Sequence, residues 1–294
     1  MRYVLTNESR EADRTKISAL SAGKCLECRL IVSFRAINSM PARNRTIRPV
    51  NDIPRIDAMM NTSITAPTVS PENRLNMDLS QHVVVRTFEQ EWVASPSSTV
   101  WRKPLEREAA EHGHTTSIVR FEAGSSFSRH THPLGEEILV LDGVFSDEHG
   151  DYGPGSYIRN PPGSAHSPFS REGCELFVKL DQFHSDDRSS VRIDTRTTGW
   201  LPGQGGLEVM PLHEFRGEHV ALVKWPAGER FQPHTHFGGE EILVLSGEFK
   251  DEHGSYPAGT WLRSPHMSKH FPFVDEPTII LVKVGHLPVE PPTA

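Results

Sequence analysis

Residues 127–152 read FSRHTHPLGEEILVLDGVFSDEHGDY, and residues 231–256 read FQPHTHFGGEEILVLSGEFKDEHGSY. The two stretches belong to a longer internal repeat, in which residues 118–179 align with residues 222–283 at a constant offset of 104. The copies share 31 identities over 62 positions without a gap. Because similarity of composition alone would not preserve this register, the repeat predicts a structural unit of about a hundred residues that occurs twice.

Each copy has the pattern of short β-strands separated by turns. The run ILVL follows a pair of glutamates and ends at Gly143 in the first copy and at Gly247 in the second. DEHGDY and DEHGSY are typical of hairpin turns, and LFVKL and ILVKV are typical of later strands. Many short strands with Gly and Pro turns predict an all-β chain with two sandwiches or small barrels.

The N-terminal quarter differs from the repeat in charge and in aromatic content. Residues 1–76 hold 12 Lys and Arg against 7 Asp and Glu, and they contain 2 of the 23 aromatic residues. A segment so poor in large apolar side chains cannot offset its ordering entropy, so we expect a disordered tail. The predicted divisions are a tail at 1–76, a first domain at 77–190 and a second domain at 191–294.

Composition also limits which binding partners and which cellular compartment are expected. The body after residue 76 has a net charge of −12, which offers no basic footprint for nucleic acid. The sequence has no apolar run long enough for a membrane span and no signal peptide, so we expect a cytoplasmic protein. The three cysteines fit a reducing compartment: Cys25 and Cys28 are interpreted as free thiols, and Cys174 as a buried strand residue. Open sheet edges allow a homodimer.

A set of three histidines and one glutamate occurs in the same register in both copies. Two histidines separated by one residue project to the same face of a strand, so their imidazoles can converge on one ion. Three imidazoles and a carboxylate suit Fe(II), Zn(II), Mn(II), Ni(II) or Cu(II). The predicted ligands are His130, His132, Glu136 and His166 in the first copy and His234, His236, Glu240 and His270 in the second.

These motifs resemble those of the cupin superfamily, and HTHPLGEEILVLDGVFSDEHGDYGPGSYIRNPPGSAHSPF is particularly similar to the cupin domain of ChrR-type anti-sigma factors. The resemblance spans about residues 82–286 and implies two tandem jelly-roll barrels. In that family the equivalent residues bind zinc, which implies the same role for the eight residues above.

Two departures from the family pattern bear on the partner and on the pocket shape. ChrR proteins bind a sigma factor through an N-terminal H-x3-C-x2-C motif, and here Ser21 stands where the histidine would precede Cys25. The incomplete motif argues against a sigma-factor partner. In the second copy His266 and Met267 replace a Pro-Gly pair, so the two pockets are expected to differ in shape.

Further repeated positions are candidates for a substrate pocket, because small-molecule sites combine apolar walls with a few polar groups. Core packing explains the aromatic members equally well. The arginines, like the repeated Lys179 and Lys283, could orient an anionic substrate, and cross-strand salt bridges explain them as easily. Asp147 and Asp251 lie in the predicted hairpin turns and are interpreted as solvated. The pocket candidates are Tyr157, Arg159, Phe169, Trp261, Arg263 and His266.

Three functions are compatible with this site. The first is a non-haem metal-dependent dioxygenase acting on a small organic substrate such as a diketone or hydroxy-ketone, a chemistry implied by the resemblance to small cupins. The second is a zinc-binding regulatory or sensor protein like the ChrR cupin. The third is a Zn or Mn bicupin of the isomerase or oxalate-degrading kind. Fold alone does not choose among them.

Overall fold

The computed structural model describes residues 74–289. Most of the predicted tail, with Cys25 and Cys28, lies outside these residues. The described end of that tail, residues 74–76, belongs to the first barrel, because Leu75 forms a β-bridge with Arg107 and the Asn76 amide donates to the Leu105 carbonyl. Helical structure in the described part is a single 3-10 turn, Thr87–Glu89, so the all-β prediction is confirmed.

Fourteen strands precede residue 195. They are β1 (Val83–Arg86), β2 (Val93–Ala94), β3 (Val100–Arg107), β4 (Thr115–Phe121), β5 (Ser125–Ser126), β6 (His130–His132), β7 (Glu136–Gly143), β8 (Phe145–Asp147), β9 (Gly150–Tyr152), β10 (Ser156–Asn160), β11 (Ser164–His166), β12 (Phe169–Ser170), β13 (Cys174–Leu180) and β14 (Val191–Asp194).

Ten further strands follow. They are β15 (Leu201–Pro202), β16 (Glu208–Phe215), β17 (Glu218–Trp225), β18 (His234–His236), β19 (Glu240–Ser246), β20 (Glu248–Asp251), β21 (Gly254–Pro257), β22 (Thr260–Ser264), β23 (Ser268–His270) and β24 (Thr278–Val284).

Each repeat builds one large antiparallel sheet and a set of shorter strands. The first large sheet has the order β14-β10-β7-β13-β4-β3-β2, and the second has the order β1-β22-β19-β24-β17-β16-β15. The shorter strands of the first repeat form the sheets β5-β12-β8-β9 and β11-β6, and those of the second form β18-β23 and β20-β21. Two barrels of similar topology result.

The two repeats exchange an edge strand. β1 lies in the predicted first domain but pairs with β22 of the second barrel, with Val83 opposite Arg263. β14 lies in the predicted second domain but pairs with β10 of the first barrel, with Val191 opposite Arg159. The boundary at residue 190 stays a prediction. Each large sheet is completed by a strand from the other side of that boundary.

Strand alternation separates three apolar cores. Ile138 and Val140 point into the first barrel, whereas Leu139 between them belongs to a cluster shared with Leu243 of the other repeat. That shared cluster lies between the two large sheets and contains Tyr157 and Trp261. Cys174 is buried in β13 as predicted. Burial raises the pKa of its thiol to about 11, so the thiol stays protonated.

No helix among residues 74–289 is long and apolar enough to cross a membrane.

Candidate metal centres

Two short antiparallel ribbons bring the predicted histidines together. In the first barrel β6 pairs with β11, and His166 lies directly opposite His130. In the second barrel β18 pairs with β23, and His270 lies opposite His234 in the same register. The alternation of β6 and β18 places the second histidine of each His-x-His pair on the same face as the first.

The glutamate of each set comes from the first residue of the long strand that follows the ribbon. Glu136 Oε2 is 3.5 Å from His132 Nε2 and 3.4 Å from His166 Nε2. In the second barrel Glu240 Oε2 is 3.5 Å from Nε2 of both His236 and His270. The turn between ribbon and strand therefore places the carboxylate beside the histidines. The alternation of side chains along a strand could not predict this position, because the turn interrupts the strand.

Hydrogen bonds at Nδ1 prepare the first histidine of each set for metal binding. His130 Nδ1 lies 3.0 Å from the Ser128 carbonyl, and His234 Nδ1 lies 3.0 Å from the Gln232 carbonyl. Only a protonated Nδ1 can donate to a carbonyl oxygen, so Nε2 of each neutral ring carries a lone pair. His234 Nε2 is buried and has no hydrogen-bond partner among residues 74–289.

The remaining histidines face each other across a short gap. His132 Nε2 lies 3.0 Å from His166 Nε2, and the same distance separates His236 Nε2 from His270 Nε2. Two acceptor nitrogens at this distance need a proton or a cation between them. Together with the unpartnered Nε2 of His234, this arrangement fits a divalent metal ion held by imidazole and carboxylate ligands.

Asp147 and Asp251 hold the third histidine of each set, a role that the sequence did not reveal. His166 Nδ1 lies 3.4 Å from Asp147 Oδ2, and His270 Nδ1 lies 3.3 Å from Asp251 Oδ2. Both aspartates are buried, so their interpretation as solvated turn residues is wrong. The hydroxyl of Tyr256 donates to Asp251 at 3.0 Å. The available signal was the exact repetition of Asp-Glu-His in both copies.

Burial lowers the pKa of two of the three histidines of the second centre. Burial lowers the pKa of His234 to about 4. Burial, together with repulsion from the neighbouring His270, holds the pKa of His236 well below its ordinary value. For His270, burial is outweighed by the carboxylates of Glu240 and Asp251, which raise its pKa. Two of the three imidazoles are therefore neutral at pH 7, as ligation requires.

The candidate ligands are buried more deeply and lie closer together in the second centre than in the first. All four ligands of the second centre are buried, and their ligand atoms lie within 4.8 Å of one another. In the first centre only the three histidines meet that mutual distance, since Glu136 lies close to His132 and His166 alone, and His130 is half-exposed. The Asn160 amide donates to Glu136 Oε2 at 2.8 Å and thereby restrains it. Ser264 occupies the equivalent position of the second barrel.

Four of the predicted pocket residues lie between the barrels and not at a metal centre. Tyr157 and Trp261 are fully buried in the apolar cluster shared by the two sheets. Arg159 is equally buried and pairs with Glu137 at 2.6 Å, and Arg263 pairs with Glu106. Their side chains lie on the opposite face of the sheet from the barrel interior, because Ile158 and Leu262 fill that interior. None of the four lines the cavity at the first metal centre, and a role for them in substrate binding stays a prediction.

The two other pocket candidates lie near the ribbons. Phe169 is half-buried in β12, where the Arg171 guanidinium lies 4.9 Å from its ring centre. His266 lies beside the second ribbon, where its Nδ1 accepts from the Gly238 amide and its ring packs edge-on against Phe237. A role for either residue in substrate binding stays a prediction.

A cavity of about 640 Å³ opens onto the first centre. His130, His132 and Glu136 line it, with apolar side chains such as Phe121 and Ile138 along its wall. Its volume lies within the range of small-molecule sites, which run from about 300 to 1,000 Å³. The first barrel can therefore hold a small organic molecule against the ligand set.

Solved structures share this fold at low sequence identity. A candidate dioxygenase from Nostoc punctiforme aligns with a TM-score of 0.60 and 15% identity, over 72% of this chain and 85% of that protein. A candidate glyoxylate-induced protein from Pseudomonas aeruginosa gives a TM-score of 0.58 and 14% identity, over 76% and 96%. Oxalate decarboxylase from Lactobacillus farciminis gives 0.52 and 13%, over 69% and 86%.

A curated relative matches a shorter part of the chain. DNA damage-repair/toleration protein DRT102 of Arabidopsis thaliana is 34% identical over 73 residues. The match covers 23% of this chain and 24% of that protein, so the chain spans about a quarter of its relative.

The family comparison covers both barrels. The ChrR cupin-like domain matches residues 80–184 and again residues 188–288. Both matches contain a complete set of the ligands described above. With two jelly-roll barrels, each carrying three histidines and a glutamate, the chain belongs to the family of ChrR cupin-like domains.

Proposed function

We propose that the protein is a metal-dependent enzyme of the dioxygenase type that acts on a small organic substrate such as a diketone or hydroxy-ketone. One observation carries the proposal: in the first barrel the ligand set lies at the wall of a cavity large enough for such a molecule. Fe(II) is the metal we propose there, with Zn(II), Mn(II), Ni(II) and Cu(II) as alternatives that the same ligands accept.

A divalent metal held by these ligands supplies a Lewis acid that polarises substrate oxygens and supports O2 chemistry. The residues of the chain provide the rest. The backbone bond at Nδ1 orients His130, and Asp147 orients His166, so the ligand atoms are positioned before substrate arrives. The apolar wall excludes water and contacts the hydrocarbon part of the substrate. Glu136 acts as a ligand in this scheme and not as a general base.

The proposal is tested with tag-free protein loaded anaerobically with Fe(II). Oxygen uptake is recorded with a panel that includes acetylacetone and 2-hydroxyacetophenone. We expect substrate-dependent O2 consumption that disappears in the double variant His130→Ala with His132→Ala. His184→Ala, which changes an exposed histidine, is the matched control and should keep the activity. Absence of turnover across the whole panel would contradict the proposal.

A second candidate function is a metal-dependent sensor or regulator, and the family match to the ChrR cupin-like domain favours it. In this case metal occupancy would change binding to a protein partner. The test compares partner capture by the metal-loaded chain and by the same double variant of His130 and His132. Capture that is equal with and without the metal ligands would count against a sensor role.

A further inference from the structure

The second barrel closes around its metal centre more tightly than the first. His234 is 4% exposed and its three co-ligands are also buried, whereas His130 of the first barrel is half-exposed at the cavity. Since the ligand types are identical, the difference arises from the residues around them.

Larger side chains fill the second barrel at positions that line the cavity in the first. Phe121 lines the first cavity, and its repeat equivalent is Trp225, which is 1% exposed and packs 5.6 Å from the Phe249 ring. Val100 of β3 lies opposite Phe121 of β4. In the second barrel Glu208 lies opposite Lys224, so Leu207, the residue before Glu208, takes the place of Val100. Leu207 and Trp225 belong to one buried cluster.

The two barrels also differ in the loop that forms part of the first cavity. Residues 108–114, a seven-residue loop, join β3 to β4, and residues 110–113 of this loop line the cavity. In the second barrel β16 and β17 are joined by two residues, Arg216 and Gly217, so no equivalent loop extends the rim.

The ribbon side of the rim is also bulkier in the second barrel. Pro133 lines the first cavity, whereas its repeat equivalent is Phe237, whose ring packs 4.9 Å from that of His266. His266 in turn replaces Pro162 of the first barrel. Two aromatic rings thus lie where the first barrel has prolines.

From these differences we infer that the two centres have separate tasks: the first binds the organic substrate, and the second holds its metal in a closed site that admits no such molecule. The assignment rests on the proposed function for the statement that a small organic molecule is bound at all. The ligand class is a molecule with a metal-chelating oxygen pair and an apolar body, because the first cavity pairs the ligand set with an apolar wall.

The test measures binding and not turnover, so it is independent of any oxygenase activity. Holoprotein is loaded with Co(II), and its visible absorption is followed while benzoylacetone, a diketone with an apolar phenyl group, is added. Two single-centre proteins are compared: one carries His130→Ala with His132→Ala, and the other carries His234→Ala with His236→Ala. We expect the spectral response to be lost in the first variant and retained in the second.

A second pair of variants keeps all eight ligands and exchanges only the packing. Phe121→Trp with Val100→Leu gives the first barrel the side chains of the second, and we expect benzoylacetone affinity to fall about tenfold or more. Trp225→Phe with Leu207→Val is the matched control and should leave the affinity of the first centre unchanged. Elemental analysis verifies two Co(II) per chain in both proteins.

Three outcomes would overturn the inference: an equal or larger response from the second centre, an unchanged affinity in the filled variant, or no response from either centre. If benzoylacetone binds the first centre but O2 uptake is absent, the proposed oxygenase activity fails while the assignment of the two centres stands.

Discussion

Asp147 and Asp251, which hold the third histidine of each centre, are the site residues that the sequence does not predict. The eight candidate ligands are predicted from their repetition in both copies, and the fixed geometry of a His-x-His pair on a strand accounts for two members of each set. The contact between His270 and Asp251 spans 19 residues and depends on how the hairpin folds back over the ribbon. Spacing along the chain does not show that contact, and the repetition of Asp-Glu-His in both copies is the one sequence signal of it.

We expect Asp251→Asn to weaken metal binding at the second centre by about 10- to 100-fold. The carboxylate fixes the tautomer and orientation of His270, and an amide lacks the charge that polarises the ring. Affinity is measured by competition with a chromophoric chelator in protein whose first centre is removed by His130→Ala with His132→Ala. Asp275→Asn, an exposed aspartate, is the control. Equal affinities in the two variants would show that Asp251 does not position the ligand.

Among the elements, the exchanged edge strands are the part of the fold that the sequence missed. The partner of β1 is β22, which lies about 175 residues away, and pairing at that separation has no local signature. The turns were predicted correctly because they are local. Gly143 is the last residue of β7, Gly247 directly follows β19, and both have a positive φ. Sequence therefore gave the elements of each barrel and not their edge pairing.

We expect Gly143→Ala to destabilise the protein more than Gly163→Ala does. Both glycines have positive φ, which costs an L-residue about 1–2 kcal/mol. At Gly143 an added Cβ would also clash with the Gly173 carbonyl oxygen, whereas at Gly163 it meets nothing within 4 Å. The free energies of unfolding from urea titrations should differ by more than about 1 kcal/mol. Equal losses would mean that the β13 side of the turn relaxes freely.

At the scale of the whole molecule, a buried network of charges joins the two barrels. Lys179 of the first repeat binds Glu241 of the second at 2.6 Å, and Lys283 of the second binds Glu137 of the first at 3.1 Å. These pairs are related by the repeat offset, so the interface has approximate two-fold symmetry. The sequence left these lysines open between substrate binding and salt bridges, because only the packed pair of sheets shows which face they occupy.

The network makes stability depend on pH in the acid range. Burial disfavours the charged form of Glu137, but Lys283 and Arg159 outweigh it and lower its pKa from 4.5 to about 2. A depressed pKa gives stabilisation that is complete above about pH 4.5 and is lost as the pH falls toward about 2. Glu137 thus contributes a pH-dependent part on the order of 3 kcal/mol.

We therefore expect Glu137→Gln to flatten the dependence of the unfolding free energy on pH between about 4.5 and 2. Urea titrations of metal-free protein across this range provide the measurement, since metal release then plays no part. Glu91→Gln, at an exposed position, should keep the slope of the natural protein. A slope in Glu137→Gln equal to that of the control would place the acid sensitivity elsewhere in the molecule.

Removing one partner of a buried pair should cost more than removing both. Lys179→Met leaves Glu241 buried at 3% exposure without its principal cation, and we expect a loss of about 3–5 kcal/mol in the free energy of unfolding. Adding Glu241→Gln removes the uncompensated charge while keeping an acceptor for the Trp261 indole, so stability should partly return. Lys224→Met, at an exposed pair, should cost less than about 1 kcal/mol. If Lys179→Met matches that control, the charge network does not hold the barrels together, and the apolar cluster between the sheets does so alone.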